Sequence, residues 1–137
     1  MSHASFTLAY WCVLVAALLP IVCSGIAKSG SFGKPRRDGG FDNNHPRAWL
    51  AAQTDWRARA NAAQANSFEA LPLFLAGVLV AQTSGARPVV VDALALAFVA
   101  LRVLYIACYL ADRDLLRSLA WTAGMAVTVA LFFSAGW

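Results

Sequence analysis

Residues 89–111 read VVVDALALAFVALRVLYIACYLA, a run in which only Asp92 and Arg102 carry a charge. A helix rises about 1.5 Å per residue, so about 20 apolar residues cross the ~30 Å hydrocarbon core of a bilayer. The run is long enough for that crossing, and it contains no Gly or Pro that would end a helix. It therefore predicts a transmembrane helix.

Further apolar runs lie on both sides of this one, and short charged stretches separate them. We predict spans at about 6–26, 64–82, 89–111 and 115–134. Of the 137 residues, 60% are hydrophobic and only 13% are charged, which leaves too little polar surface for a water-soluble domain of this size. The sequence therefore predicts an all-α fold, a single integral-membrane domain over 1–137 built as a four-helix bundle.

The first run has a second interpretation, as a cleavable signal peptide, because it is N-terminal and small residues follow it. No Lys or Arg precedes it, however, and it exceeds the roughly 7–15 apolar residues of such peptides. We therefore expect it to be a retained helix.

The second segment begins well before its apolar part. Read as one helix over 48–82, its about 35 residues would measure roughly 50 Å, far more than the hydrocarbon core. Its polar N-terminal half is therefore expected to project from the membrane or to lie at the interface.

The basic residues cluster on two of the three connections between spans. The loop over 28–47 holds five and the third connection holds Arg113, with Arg117 close by, whereas the second connection holds only Arg87. By the positive-inside rule, the first and third connections lie in the cytoplasm and both termini lie outside. The net charge of +4 then reflects orientation and contact with membrane lipid, and we expect no nucleic-acid partner.

Polar side chains inside a span are costly, so each one calls for a reason. Two helical stripes carry them: Arg59, Asn66 and Glu69 on the second segment, and Arg102, Tyr105 and Tyr109 on the third span. Glu69 and Arg102 each lie about six residues, roughly 9 Å, inside the predicted cytoplasmic boundary, so we expect them to pair. Such a pair either staples the bundle or lines a polar cavity open to the cytoplasm. The additional polar side chains at the same face favour the cavity.

The spacing of the remaining reactive residues does not indicate a further site. Cys12, Cys23 and Cys108 are scattered through apolar runs, which is not a disulfide framework. His45 has no second His or Cys at ligand spacing, so no metal site is expected. Asp92, near the outer end of its span, is expected to act as a helix cap or a surface residue.

The stretch 56–74, WRARANAAQANSFEALPLF, resembles the signature of the MAPEG superfamily, the membrane-associated proteins in eicosanoid and glutathione metabolism. The core pattern Asn-x-x-Glu-x-x-Pro-x-Phe is met by Asn66, Glu69, Pro72 and Phe74. The four-span plan and the polar stripe of the third span extend the resemblance over nearly the whole chain. It implies a bacterial-type member in a bacterial inner membrane, assembled as a homotrimer, with glutathione as cosubstrate between subunits near the cytoplasmic face.

The resemblance also implies roles for individual residues. Asn66 and Glu69 would bind the γ-glutamyl end of glutathione, Tyr105 and Tyr109 would contact its peptide or carboxylates, and Arg102 would pair with Glu69 or the ligand. The full implied set of glutathione-binding residues is Arg59, Gln64, Asn66, Glu69, Arg102, Tyr105 and Tyr109.

Catalytic relatives use an arginine at the start of the fourth helix to stabilise the glutathione thiolate, which attacks a hydrophobic electrophile. Arg117 matches that position best, with Arg113 as the rival. Many relatives also carry an arginine where this chain has Ala62. The sequence thus supports a glutathione-dependent transferase or peroxidase. The alternative is a non-catalytic protein of the same fold that binds lipid or serves as a partner subunit.

Overall fold

The computed structural model describes residues 6–136, and within them the chain is helical and contains no strand. The helices are α1 (Leu8–Lys28), α2 (Pro46–Ala51), α3 (Asp55–Thr83), α4 (Pro88–Leu110) and α5 (Asp114–Phe133). Four of them, all except α2, are long and apolar enough to cross a membrane. This confirms the predicted all-α, four-span architecture. The helices overlap the predicted spans, while the positions of the membrane boundaries stay a prediction.

The four long helices run in alternating directions, because short turns reverse the chain after α3 and after α4. At one end of the bundle α1 and α4 end while α3 and α5 begin. We call this end the arginine face, since Arg57, Arg59, Arg113 and Arg117 lie there.

At the opposite face, polar side chains join the start of α1 to its neighbours. The backbone N–H of Ala9 donates to Asp92 Oδ1 at 2.8 Å, and Gln82 Nε2 donates to Thr7 Oγ1 at 2.8 Å. A carboxylate at a helix N-terminus satisfies a free N–H and complements the helix dipole. Of the two roles expected for Asp92, helix cap or surface residue, the structure shows the cap, at the start of α1.

The core lies where α1 and α4 pack against α3. The rings of Phe74 and Phe98 stack with centroids 3.9 Å apart, and buried small residues of α1 such as Ala9 and Ala16 pack against the same cluster. The first apolar run is therefore an integral part of the bundle. Large apolar side chains such as Ile21 and Leu115 remain exposed around the outside, as expected of a surface that faces lipid.

The second segment is not one continuous helix. The short helix α2 ends at Ala51, and α3 begins only at Asp55, whose backbone is left-handed with φ 54°. A continuous right-handed helix cannot contain that conformation. With 29 residues, α3 still measures about 44 Å and exceeds the ~30 Å hydrocarbon core. The expectation that its N-terminal part projects beyond the apolar region therefore still applies.

The loop between α1 and α2 is folded onto itself at the arginine face. Arg36 Nη2 lies 2.8 Å from Asp42 Oδ1, and the N–H of Phe41 donates to the carbonyl of Ser31 at 3.0 Å. Gly40 is required at its closure, because a Cβ there would lie 1.9 Å from the carbonyl oxygen of Lys34. Desolvation would raise the pKa of the Asp42 carboxyl, but hydrogen bonds from Asn44 and His45 and the charge of Arg36 outweigh it and lower that pKa.

Candidate functional site

Arg102 is the centre of a polar cluster between α3 and α4. Arg102 is only 4% exposed, although it carries one of only two charges on α4, the other being that of Asp92. Its Nη1 donates to Asn66 Oδ1 at 2.9 Å, and its Nη2 donates to Ser67 Oγ at 3.1 Å. Two adjacent residues of α3 therefore hold one guanidinium of α4 in place.

The expected direct pair between Glu69 and Arg102 is wrong. Within residues 6–136 no ion pair joins them, and Glu69 Oε2 instead accepts from Asn66 Nδ2 at 3.4 Å. The guanidinium turns to Asn66 and Ser67, while the Glu69 carboxylate stays exposed one turn deeper on α3. The Asn66 amide thus bridges the Arg102 guanidinium and the Glu69 carboxylate. Arg102 is left as a buried cation with no carboxylate within ion-pair distance in the described part of the chain.

Glu69 and Arg102 nevertheless line one cavity between α3, α4 and α5, which we call the cleft. Its walls are otherwise mainly apolar, formed by Leu73, Phe98 and Trp121 among others. Its volume is about 50 Å³, room for about four water molecules, so it is too small by itself for a tripeptide.

A second, more open depression, which we call the groove, adjoins the cleft toward the arginine face. It has a volume of about 180 Å³ and is lined by Tyr105, Arg117, Ser118, Trp121 and Thr122. Trp121 belongs to both the cleft and the groove, so the two are neighbours. Together they offer one guanidinium deep in the bundle and another near the arginine face.

Arg113 and Arg117 occupy different environments. Arg117 is half-buried beside the groove, with its Cζ 4.4 Å from the centre of the Tyr109 ring. Arg113 precedes α5 on the turn, where its backbone N–H donates to the carbonyl of Cys108 at 2.8 Å and its side chain is exposed. Of the two candidates, only Arg117 lines the groove.

Arg59 does not join the Asn66 cluster. Its Nε donates to the carbonyl of Leu110, the last residue of α4, at 3.3 Å. Arg57, which the sequence reasoning did not single out, does the same for α1, since its Nη1 donates to the carbonyl of Ala27 at 2.8 Å. Cations at helix C-termini satisfy free carbonyls and complement the dipole. The two arginines at the projecting start of α3 were a signal in the sequence from which this capping role could have been predicted.

Gln64 also lies away from the cluster. Two residues along a helix correspond to a rotation of about 200°, so Gln64 and Asn66 face opposite sides of α3. Gln64 lines a separate side pocket of about 350 Å³ together with Arg47 of α2 and Phe68. Its buried Oε1 has no hydrogen-bond partner there. A single subunit therefore cannot bring Gln64 and Asn66 to one small ligand.

Comparison with known families gives one result that covers nearly the whole chain. The model of the MAPEG family matches residues 8–137, which include all five helices. No curated protein and no solved structure matches significantly. With four candidate membrane spans and a family match of this length, the chain is an integral membrane protein that belongs to the MAPEG family of the glutathione and eicosanoid metabolism superfamily.

Proposed function

We propose that the protein is a glutathione-dependent membrane transferase or peroxidase that acts on lipophilic electrophiles. The observation that carries the proposal is the buried Arg102, which has hydrogen bonds but no carboxylate partner among residues 6–136. A buried guanidinium is costly unless an anion compensates it. Glutathione has two carboxylates and one ammonium, so it can supply that anion and use the Glu69 carboxylate as well.

The residues suit the parts of glutathione in a definite order. Asn66 and Glu69 would bind the γ-glutamyl and amino end, and Arg102 with Tyr105 would bind a carboxylate. Arg117 would stabilise the thiolate, because a nearby guanidinium favours the ionised form of a thiol. In the transferase reaction the thiolate would form a C–S bond with an electrophilic carbon of a substrate dissolved in the bilayer, while the leaving group departs with the electron pair of the bond that breaks. In the peroxidase reaction the thiolate would attack a peroxide oxygen, the O–O bond would break to release the alcohol, and a second glutathione would complete the reduction as the disulfide and water form.

The proposal includes a homotrimer, because the cleft and the groove of one subunit offer little space for a tripeptide and the larger side pocket lies apart from them. The cleft is too small for a tripeptide, and Gln64 with its unpartnered Oε1 faces away from it. A neighbouring copy could bring its own side pocket opposite the groove and complete a larger site. The exposed small residues Ser118 and Thr122 beside the groove permit close approach of another helix. We further propose a bacterial inner membrane, with both termini outside and the arginine face cytoplasmic.

A second candidate function is favoured by one observation. Ala62 lies on the same stripe as Asn66 and Glu69, where many relatives carry an arginine. Loss of that cation would weaken anion binding. The protein would then be a non-catalytic member of the same fold that binds lipid or serves as a partner subunit.

Calorimetric titration of the detergent-solubilised protein with glutathione separates the two functions. We expect saturable binding, which Asn66→Ala weakens about tenfold because the variant removes the acceptor for Arg102 and the link to Glu69. Asn43→Ala is the matched control and should bind like the wild type, since Asn43 is exposed in the loop between α1 and α2 and lines neither the cleft nor the groove. Absence of binding to the wild type at millimolar glutathione would reject the enzyme and leave the non-catalytic function.

A further inference from the structure

The loop between α1 and α2 exposes one aromatic ring beside several cations. We call these residues the loop patch: Phe32, Lys34, Arg36 and Arg37. Phe32 is 62% exposed, although phenylalanine is among the residues that are most often buried. Over residues 6–136 Lys34 makes no ion pair, and Arg37 reaches only the exposed carboxylate of Asp38, at 3.8 Å. The loop patch is therefore positively charged and open to its surroundings.

A row of aromatic rings holds Phe32 in place. The Phe32 and Phe41 rings meet edge to face at 5.5 Å and 66°, and the Phe41 ring meets that of Trp49 in the same way at 5.2 Å and 88°. Lys28 Nζ lies 4.8 Å from the centre of the Phe41 ring, within the range of about 6 Å in which a ring attracts a cation. The row thus connects the exposed ring to the end of α1 and to α2.

The far end of this row lies level with the ends of two spanning helices. Leu50 follows Trp49 on α2 and is buried in one cluster with Ala27, in the last turn of α1, and Ala60 of α3. Leu110, the last residue of α4, packs against the same cluster. The helix α2 therefore lies beside the ends of the spans, and this is the level at which basic and aromatic side chains meet lipid headgroups.

We propose that the loop patch binds the headgroup of an anionic phospholipid, with its cations at the phosphate and the Phe32 ring at the start of the acyl chains. The charge fits an anion, because residues 28–47 hold five basic side chains and only two acidic ones, Asp38 and Asp42. Each of these acids already has an arginine beside it. The exposed ring favours a lipid over free phosphate, which offers no apolar part to cover it. The inference goes beyond the proposed enzyme, since it uses no residue of the cleft or the groove.

Native mass spectrometry of the detergent-solubilised protein tests the proposal, because it counts bound lipids and subunits together. Phosphatidylglycerol is the anionic probe and phosphatidylcholine the neutral one. We expect the wild type to retain phosphatidylglycerol in preference. Lys34→Gln should weaken phosphatidylglycerol binding about fivefold, since one cation near an anionic lipid surface contributes about 1 kcal/mol. Phe32→Ser should weaken it as well, because the variant removes the apolar contact with the acyl chains.

Arg113→Gln is the matched control, because it removes one exposed cation from the same face. Asp112 and Asp114 flank Arg113 and repel an anionic headgroup, so this variant should bind phosphatidylglycerol like the wild type. Equal retention of the two lipids by the wild type, or full phosphatidylglycerol binding by Lys34→Gln, would overturn the inference. Equal losses in Lys34→Gln and Arg113→Gln would overturn it too, because binding would then follow only the total charge of the face. A changed number of subunits in Phe32→Ser would assign the patch to another copy of the chain instead. A wild type that binds no glutathione would reject the proposed enzyme and leave this inference standing.

Discussion

Replacement of Arg117 by alanine is expected to lower turnover of a model electrophile by roughly 100-fold or more, while glutathione affinity stays within a few-fold of the wild type. The guanidinium would act on the thiolate, and the thiolate is one charge among several that hold the ligand. Loss of the cation raises the pKa of the bound thiol, so less thiolate is present at neutral pH. Activity of the variant should therefore recover partly as the pH is raised.

Arg113→Ala is the matched control for this experiment. Arg113 carries the same charge four residues earlier but lies exposed on the turn, outside the groove. We expect its variant to retain most of the turnover, measured with the same electrophile and a glutathione titration. A large loss in Arg113→Ala with little change in Arg117→Ala would reverse the two roles and contradict the groove as the site of the thiol.

Replacement of Arg102 by methionine should abolish glutathione binding without weakening the fold. Truncation of one partner of a buried charged contact weakens binding by at least about 30-fold. The fold responds differently, because the variant gives up hydrogen bonds to Asn66 and Ser67 but also removes a buried cation without a carboxylate partner. Such exchanges for an apolar side chain are often neutral or stabilising. We expect a melting temperature in detergent equal to that of the wild type or a few degrees higher.

Arg57→Met provides the contrast. Arg57 holds the end of α1 through the carbonyl of Ala27. Its loss should lower the free energy of unfolding by about 1 kcal/mol, and the melting temperature with it, and leave glutathione binding intact. The comparison of the two variants shows whether Arg102 only holds α3 to α4 or also binds the ligand. A marked loss of stability in Arg102→Met, with binding retained, would mean that Arg102 serves only to hold α3 to α4.

The sequence predicted that Glu69 and Arg102 lie at the same level of the bundle, but it did not predict their hydrogen-bond partners. Glu69 and Arg102 were expected at the same depth, and both do line the cleft. Which acceptor an arginine takes depends on rotamers and on competition among nearby groups, and spacing does not reveal that. Ser67 carried no signal, because a serine in an apolar helix commonly bonds to its own backbone.

The grouping of the candidate residues failed at two places for different reasons. Gln64 was grouped with Asn66 through the family resemblance, although a separation of two residues places them on opposite sides of a helix. Arg59 fits the stripe, yet it reaches the end of α4, a contact that depends on how far α3 projects past its neighbour.

The break between α2 and α3 had a local signature. Thr54 followed by Asp55 is typical of a helix start. The hydropathy did not reveal the break, because the sequence on both sides of it is rich in alanine. The four spans, by contrast, follow from long apolar runs whose period and length leave few other folds.

The proposed glutathione site consists of the cleft and the groove, and a neighbouring subunit completes it. A structure of the protein determined in lipid with glutathione tests it most directly. We expect density that runs from the Asn66–Arg102 cluster to the Arg117 guanidinium, with Gln64 of another copy on its far side. Glutathione density at the opposite face, or a Gln64 side pocket that faces lipid in the assembly, would contradict it.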